Sequence, residues 1–180
     1  MRIISGLHKG RKITAPKKLP VRPTTDMVKE SLFNILRNTH DFTNISVLDL
    51  FSGTGNISYE FASRGCNSIF SVDDNYGCVS FINKTTASLD LPIQVIKSDV
   101  FTFLEQTSIG FDIIFADPPY DLEIEKFEQI ISAVCDSSLL HEGGFLIIEH
   151  SKYIDLSAFK HFEKAKRYGG SVLSFFEKVN

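Results

Sequence analysis

Asp117-Pro118-Pro119-Tyr120 is the most chemically specific stretch of this 180-residue chain. It follows the apolar run Phe111 to Ala116 directly, so it stands where a strand ends. Two consecutive prolines fix φ and stop the chain from running on as a helix, which pins the flanking acid and ring at a rigid corner. An acid, a proline carbonyl and an aromatic ring together fit a planar base with an exocyclic amine. The amine has two N–H donors, one for the Asp117 carboxylate and one for the Pro118 carbonyl, and Tyr120 can stack on the ring face. Such bonds would hold the nitrogen lone pair toward an electrophilic methyl group and stabilise the positive charge that develops on nitrogen. The competing use is an ordinary rigid turn; a place at a strand end, beside a glycine loop, favours chemistry.

Three more acids, Asp49, Asp73 and Asp99, fall at or just after predicted strands. Counted through to Asp117, the intervals are 24, 26 and 18 residues, each about one strand, helix and loop. In a parallel sheet the ligand lies beyond the carboxyl ends of the strands, where the strand order reverses, so four carboxylates are expected to line one crevice. An Asp after a strand also often caps the next helix. For Asp99 both readings stand: it can reach an adenine amino group or cap the helix that starts near Phe101.

The segment Asp49-Leu50-Phe51-Ser52-Gly53-Thr54-Gly55 places two glycines between strand and helix, where the backbone can turn tightly and approach a ligand. A dinucleotide fingerprint asks for a third glycine, but position 58 is Ser. A carboxylate at Asp49 would also repel a pyrophosphate, whereas it attracts an ammonium group. S-adenosylmethionine carries an α-amino group and a sulfonium and no phosphate, so an acidic edge suits it. Asp73, twenty residues after Gly53, can accept from ribose hydroxyls, with Asp74 as a competing candidate.

The elements that must hold these residues form an alternating series. Predicted strands cover 46–50, 68–72, 93–97, 111–116 and 144–149, and helical segments cover 57–63, 78–89, 101–105 and 124–135. Phe127, Ile130, Ile131 and Val134 show the i, i+3, i+4, i+7 spacing of an amphipathic helix. Gly65 and Gly143 or Gly144 are expected at helix ends. Strand and helix in alternation predict an α/β fold with a Rossmann-like, doubly wound, mostly parallel sheet. Residues 163–168 and 171–179 flank Gly169-Gly170, and two residues cannot make a parallel crossover, so this pair is predicted as an antiparallel hairpin. At the other end, Arg2 to Gly6 and Arg11 to Ala15 read as a small hairpin, followed by a stretch punctuated by Pro16, Pro20 and Pro23. Thr24 or Thr25 then caps a helix with the stripe Val28, Leu32, Ile35 and Leu36. The expected organisation is an extension over residues 1–40 and one domain over 41–180.

The net charge of −3 conceals an asymmetry. Residues 1–40 hold nine Lys and Arg against two acids, a balance of +7, and the remaining 140 residues hold ten against twenty, a balance of −10. A basic arm on an acidic body points to a polyanion for the arm, or to a solvated loop. A base that must leave its stack to reach the Asp117 corner predicts a nucleic acid held partly through phosphates. The candidate contacts are Arg2, Lys9, Arg11, Lys12, Arg22 and Thr24. A second basic group, Lys160, Lys164, Lys166 and Arg167, reads as a solvated face unless it flanks the pocket. Cys66, Cys78 and Cys135 form no Cys-x-x-Cys pair, so neither a disulfide framework nor a metal site is expected. No apolar run approaches the roughly 18 residues of a membrane span, and no secretory leader is recognisable, so a cytoplasmic monomer is expected.

The glycine loop and the Asp-Pro-Pro-Tyr corner resemble class I S-adenosylmethionine-dependent methyltransferases acting on an amine nitrogen. Met1-Arg-Ile-Ile-Ser-Gly6, Gly10-Arg-Lys12, Arg22-Pro-Thr-Thr-Asp26 and Glu30-Ser-Leu-Phe-Asn34 narrow the resemblance to the RsmD-type enzymes, as do Ser63-Arg-Gly65, Asn83 and Arg167-Tyr-Gly169. The resemblance implies a seven-stranded sheet with the last strand antiparallel and methylation of guanine N2 in 16S ribosomal RNA, free or in the small subunit. It further implies cofactor contacts at Asp49, Phe51, Gly53, Gly55, Asp73, Asp99 and Asp117, with Asp117, Pro118 and Tyr120 on the guanine. The chain departs from the family pattern at Asp73-Asp74, where Glu and a basic residue are common, and at Asn56-Ile-Ser58, where small apolar residues are. Methylation of adenine N6 through the same corner is the nearest alternative. An NAD-dependent oxidoreductase and a non-catalytic RNA-binding module are the alternatives from other classes.

Overall fold

A computed structural model describes residues 1–19 and 24–178. Pro20, Arg22, Pro23 and Val179 lie outside the described residues. Helix α1 (Asp26–Leu36) precedes an alternating series: β1 (Ser46–Leu50), α2 (Asn56–Ser63), β2 (Ser68–Asp73), α3 (Tyr76–Leu89), β3 (Ile93–Lys97), α4 (Val100–Gln106), β4 (Phe111–Ala116) and α5 (Ile124–Cys135). Strands β5 (Leu140–Ser151), β6 (Phe162–Tyr168) and β7 (Ser171–Glu177) complete it. The sheet order is β3-β2-β1-β4-β5-β7-β6, so the winding reverses between β1 and β4. Strands β1 to β5 run parallel, and β7 is antiparallel to both of its neighbours.

Hydrophobicity decides which limb of the terminal hairpin goes inside. Leu173, Phe175 and Phe176 of β7 are buried, whereas Glu163, Lys166 and Arg167 of β6 are exposed, so β7 enters beside β5 and the charged strand takes the edge. Successive side chains of each inner strand serve opposite layers, as the strand period requires. Ile113 and Phe115 pack with Leu32, Phe33 and Phe61 of α1 and α2; Ile114 and Ala116 pack with Phe127, Ile130 and Ile131 of α5. No helix of the described residues is long and apolar enough to cross a membrane.

Two local expectations change. Gly143 and Gly144 lie inside β5, three and four residues beyond its start, and end no helix. Gly143 has φ +74°, the β4–β5 register shifts between Phe111 and Ile113, and a Cβ on Gly144 would stand 2.5 Å from the Asp112 carbonyl oxygen. The pair therefore makes a bulge. The expected N-terminal hairpin reduces to one antiparallel bridge, Arg2 with Lys12, supported by Ile3 N–H to Arg11 O (3.0 Å) and Ile13 N–H to Met1 O (3.0 Å). Ile3 and Ile13 enter the same core as α1 and the sheet.

This segment is fixed to α2 by buried polar groups. Lys29 of α1 and Glu60 of α2 have fully buried side chains with Nζ and Oε2 3.4 Å apart. Lys29 also donates to Arg2 O (2.6 Å) and Asn56 Oδ1 (2.8 Å). Glu60 accepts from the Ile4 and Ser5 N–H groups (2.8 and 3.0 Å) and from Arg64 Nε (2.8 Å). Burial pulls the Lys29 ammonium below its usual range, and the Glu60 carboxylate opposes that pull. Leu7 N–H donates to Ser63 O (2.7 Å) so closely that a Cβ on Gly6, at φ +81°, would lie 1.7 Å from that oxygen.

Glu60→Ala leaves a buried cation and two backbone donors without their acceptor, and should lower stability by about 3–5 kcal/mol. Arg2→Ala breaks only an exposed 3.2 Å pair with Asp26. It should cost under about 1 kcal/mol. Urea midpoints at unchanged m-value measure both, and equal losses would contradict the assignment.

Candidate active site

A cavity of about 350 Å³ opens at the carboxyl ends of β1, β2, β4 and β5, where the winding reverses. Five acids line it: Asp49, Asp73, Asp74, Asp117 and Glu149. Among the described residues no Lys, Arg or His does. Its electrostatics therefore favour a cation.

The β1–α2 loop forms one wall through a run of left-handed backbone, with φ +55° at Phe51, +53° at Gly53 and +79° at Gly55. Phe51 is the strained member, and it stands edge-on to Phe101 at 6.5 Å between centroids. Gly55 N–H closes the turn onto Ser52 O (2.7 Å). A Cβ at Gly55 would meet the Tyr59 ring at 2.8 Å. Asp73, the last residue of β2, organises this loop: Oδ2 accepts from Gly53 N–H (2.7 Å) and Oδ1 from Asn75 N–H (2.9 Å). Burial raises the Asp73 carboxyl, and these two bonds resist the rise. Asp74 is exposed on the same rim.

Asp49 is buried in β1, and its Oδ2 accepts from Ser58 N–H (3.2 Å) and Ser58 Oγ (2.5 Å). Ser58 Oγ also meets Ser71 Oγ at 2.6 Å. Burial pushes the Asp49 carboxyl up to about 7, against the Ser58 bonds. The residue that spoils the dinucleotide fingerprint is thus the hydrogen-bond partner of the central acid. Asn56, the other departure, donates through Nδ2 to Thr24 O (3.1 Å) and accepts from Lys29. It ties the cavity wall to the N-terminal segment.

The Asp117 corner follows β4 directly. Asp117 N–H approaches Leu50 O of β1 at 3.4 Å, and Leu122 N–H closes onto Pro119 O at 3.0 Å. Pro118 is buried and Tyr120 exposed, and both line the cavity. Ala116 pairs with Ile148, so Asp117 and Glu149 extend neighbouring parallel strands side by side.

Asp99 is placed apart from the other acids. It is exposed, caps α4 through Oδ1 and Thr102 N–H (2.9 Å), and does not line the cavity. Of the basic arm, Lys9, Arg11 and Lys12 are exposed, Arg2 pairs with Asp26, and Thr24 lines the cavity; Arg22 lies outside the described residues. Thr25 caps α1 and lines the cavity as well. Glu149 and Ser171 were missed by sequence reasoning. Glu149 was accessible to it, since it ends the predicted strand 144–149 just as the four aspartates end theirs. Ser171 carried no signal, because only the insertion of β7 beside β5 brings it to this edge.

The raised Asp49 carboxyl has a stability consequence. Its folded pKa lies above the unfolded value of 3.8, so the folded chain binds more protons between about pH 4 and about pH 7. The Asp49 contribution is full below that window, is lost as pH rises through it, and is flat above. Asp49→Asn should remove this fall from the stability–pH profile. Difference profiles from urea melts check it, and parallel wild-type and variant curves would contradict it.

Residues 1–177 match the family model described as "Conserved hypothetical protein 95". The chain is 34% identical over 161 residues to the Bacillus subtilis "Putative rRNA methyltransferase YlbH", covering 87% of this chain and 85% of that one. It is 30% identical over 158 residues to the Haemophilus influenzae "Ribosomal RNA small subunit methyltransferase D", covering 84% and 79%. The solved structure of the Escherichia coli chain yhhF superposes with a TM-score of 0.87 at 24% identity, over 100% of this chain and 98% of that one, which shows a shared fold. With its fold, its acidic cavity and a family match over nearly its whole length, the chain belongs to this family, that of the RsmD-type methyltransferases.

Proposed function

We propose that this methyltransferase transfers a methyl group from S-adenosylmethionine to the exocyclic N2 of a guanine in 16S ribosomal RNA. The observation that carries the reading is the pair of neighbouring acids, Asp117 and Glu149, at a proline-fixed corner of the cavity. Guanine presents an N1–H beside its N2 amine, so two adjacent acceptors match its edge. Adenine presents an acceptor, N1, beside its N6 amine, and a second carboxylate would repel it. The names of the relatives support ribosomal RNA as the substrate class.

The cavity suits the cofactor for two reasons found in this chain. Its acids complement an ammonium and a sulfonium, and its wall has left-handed glycines where a side chain would collide with Tyr59. Both Ser58 bonds to Asp49 fall on Oδ2, which leaves Oδ1 for the cofactor ammonium. Asp73 fixes the loop and, with Asp74, serves the ribose hydroxyls. Asp99 stands off the cavity lining with one oxygen on the α4 cap, and its other oxygen would take the adenine amino group where the adenine extends past that lining. Bound S-adenosylmethionine supplies an electrophilic methyl carbon on a sulfonium.

The chain's own contribution is then positional and electrostatic. Asp117 accepts one amine N–H and the Pro118 carbonyl the other, so the lone pair is aimed at the cofactor side of the cavity. As positive charge develops on the amine nitrogen, the fixed Asp117 carboxylate stabilises it and receives the released proton. Tyr120 stacks on the flipped base, and Lys9, Arg11, Lys12 and Arg22 hold phosphates outside the acidic floor. One chain carries all these groups, so no second copy is required.

Unmodified 16S transcript and partly assembled small subunits, each incubated with labelled cofactor and digested to nucleosides, should yield N2-methylguanosine. N6-methyladenosine would favour the adenine reading instead. Asp117→Ala should reduce turnover by about 10²–10³-fold, the scale of one lost transition-state hydrogen-bonding group, while S-adenosylhomocysteine affinity by calorimetry stays within about threefold. Turnover near wild type would remove Asp117 from the reaction.

A further inference from the structure

The acidic floor that suits a cationic cofactor creates a problem for an RNA strand crossing the cavity mouth. Cations on more than one part of the rim would offset that repulsion by holding phosphates on both sides of the inserted base. The N-terminal arm supplies one rim, with Thr24 and Thr25 at the cavity. Another part of the rim is built by β5 and β7, which contribute Glu149 and Ser171. Beside Ser171, Gly170 O accepts from Lys152 N–H at 3.0 Å, joining the turn after β5 to the β6–β7 hairpin. Arg167 Nε donates to Gly169 O of the same hairpin at 3.2 Å. Next to Lys152 stands Tyr153, 84% exposed, the second most exposed large hydrophobic side chain of the described residues. The Lys152 ammonium lies 4.9 Å from its ring centroid. An ammonium over a ring accounts for one face and leaves the other to a partner.

The second basic group of the sequence divides on this rim. Lys160 pairs with Asp136 (2.6 Å), and Lys164 with Glu163 (2.8 Å), toward the far end of β6. Arg167 bonds the hairpin tip, and Lys166 beside it is exposed. The nearest acid on the turn, Asp155, accepts from Ser157 N–H at 2.9 Å.

We propose that Lys152, Tyr153 and Arg167 form a second RNA-contact surface, on which Tyr153 stacks with a base flanking the target nucleotide while the two cations hold the adjacent phosphates. This inference rests on the RNA-methylation reading. An exposed aromatic stacked by a cation, on a turn bonded to the hairpin residue that precedes cavity-lining Ser171, fits single-stranded nucleic acid because stacking needs no particular sequence and the charge follows the backbone.

Filter binding and steady-state methylation with unmodified 16S transcript test it. Tyr153→Ala should weaken RNA binding and raise the RNA KM by about tenfold, with kcat within about twofold, and Tyr153→Phe should retain wild-type values. Lys152→Ala should reduce the slope of log Kd against log salt by about one. S-adenosylhomocysteine affinity and the melting temperature should not move, since the side chains are exposed and off the cofactor wall. Wild-type RNA affinity and KM in both alanine variants would overturn the proposal. So would a defect seen with assembled subunits alone, which would make the patch a contact for a ribosomal protein. A wild-type chain that neither binds nor methylates the transcript would fail the functional reading itself, and the patch with it.

Discussion

Lys29 is a full charge with no exposed side-chain surface, and the fold is arranged so that it and Glu60 can both be buried. Two unpaired ions in an apolar layer cost several kcal/mol each, and the pair is tolerable only when its remaining donors and acceptors are used. Here they are: the ammonium has Arg2 O and Asn56 Oδ1, and the carboxylate has Ile4 N–H, Ser5 N–H and Arg64. A pair of leucines could fill the same volume. It could not offer acceptors to the backbone of residues 4 and 5, so it would leave the segment free to slide. The ion pair thus sets where the N-terminal segment lies on α2, and Asn56 at the head of α2 transmits that position to the cavity wall. The N-terminal segment and the β1–α2 wall of the cavity are thereby joined through Lys29 and Asn56.

The cavity carries the opposite electrostatic logic. Burial raises the carboxyls of Asp49 and Asp73, and their acidic neighbours Asp73 and Asp74 add to the rise to a lesser extent. The fold limits the cost with short local bonds from Ser58, Gly53 and Asn75 and does not introduce compensating cations from the described residues. A cation lining the floor would neutralise the field that a sulfonium and an ammonium require. The basic charge of the chain is placed at the periphery instead, on the arm and on the β5–β7 rim, where phosphates are proposed to pass.

What could be read from sequence follows from which interactions are local. Strands β1, β3 and β4 and helix α5 coincide with their expected bounds, because a run of apolar residues closed by turn chemistry reports a strand without knowledge of its neighbours. The corner and the glycine loop were legible for the same reason: prolines and left-handed glycines act on their own backbone. Lys29 and Glu60 were not legible, since a charged residue in an amphipathic helix reads as its solvent face until the chain that covers it is known. Gly143 and Gly144 misled because a glycine pair marks a helix end or a bulge equally well, and only pairing with β4 decides. Asp99 shows the limit within the motif itself: the same spacing serves a ligand or a cap, and the Thr102 bond displays the cap.

The insertion of β7 between β5 and β6 links these points. A parallel last strand would have ended with its carboxyl group at the cavity edge and its start at the far side. Reversal brings a hairpin tip to that edge instead, with Ser171 in the cavity and Gly170 bonded to Lys152. The apolar residues of β7 made this placement favourable, because Leu173, Phe175 and Phe176 need cover on both faces and the charged β6 can shield the edge. The hydrophobic demand of one strand thereby fixes the part of the rim that carries Ser171, and a base entering the corner between Asp117 and Glu149 would meet chain whose position was set by burial and not by the ligand.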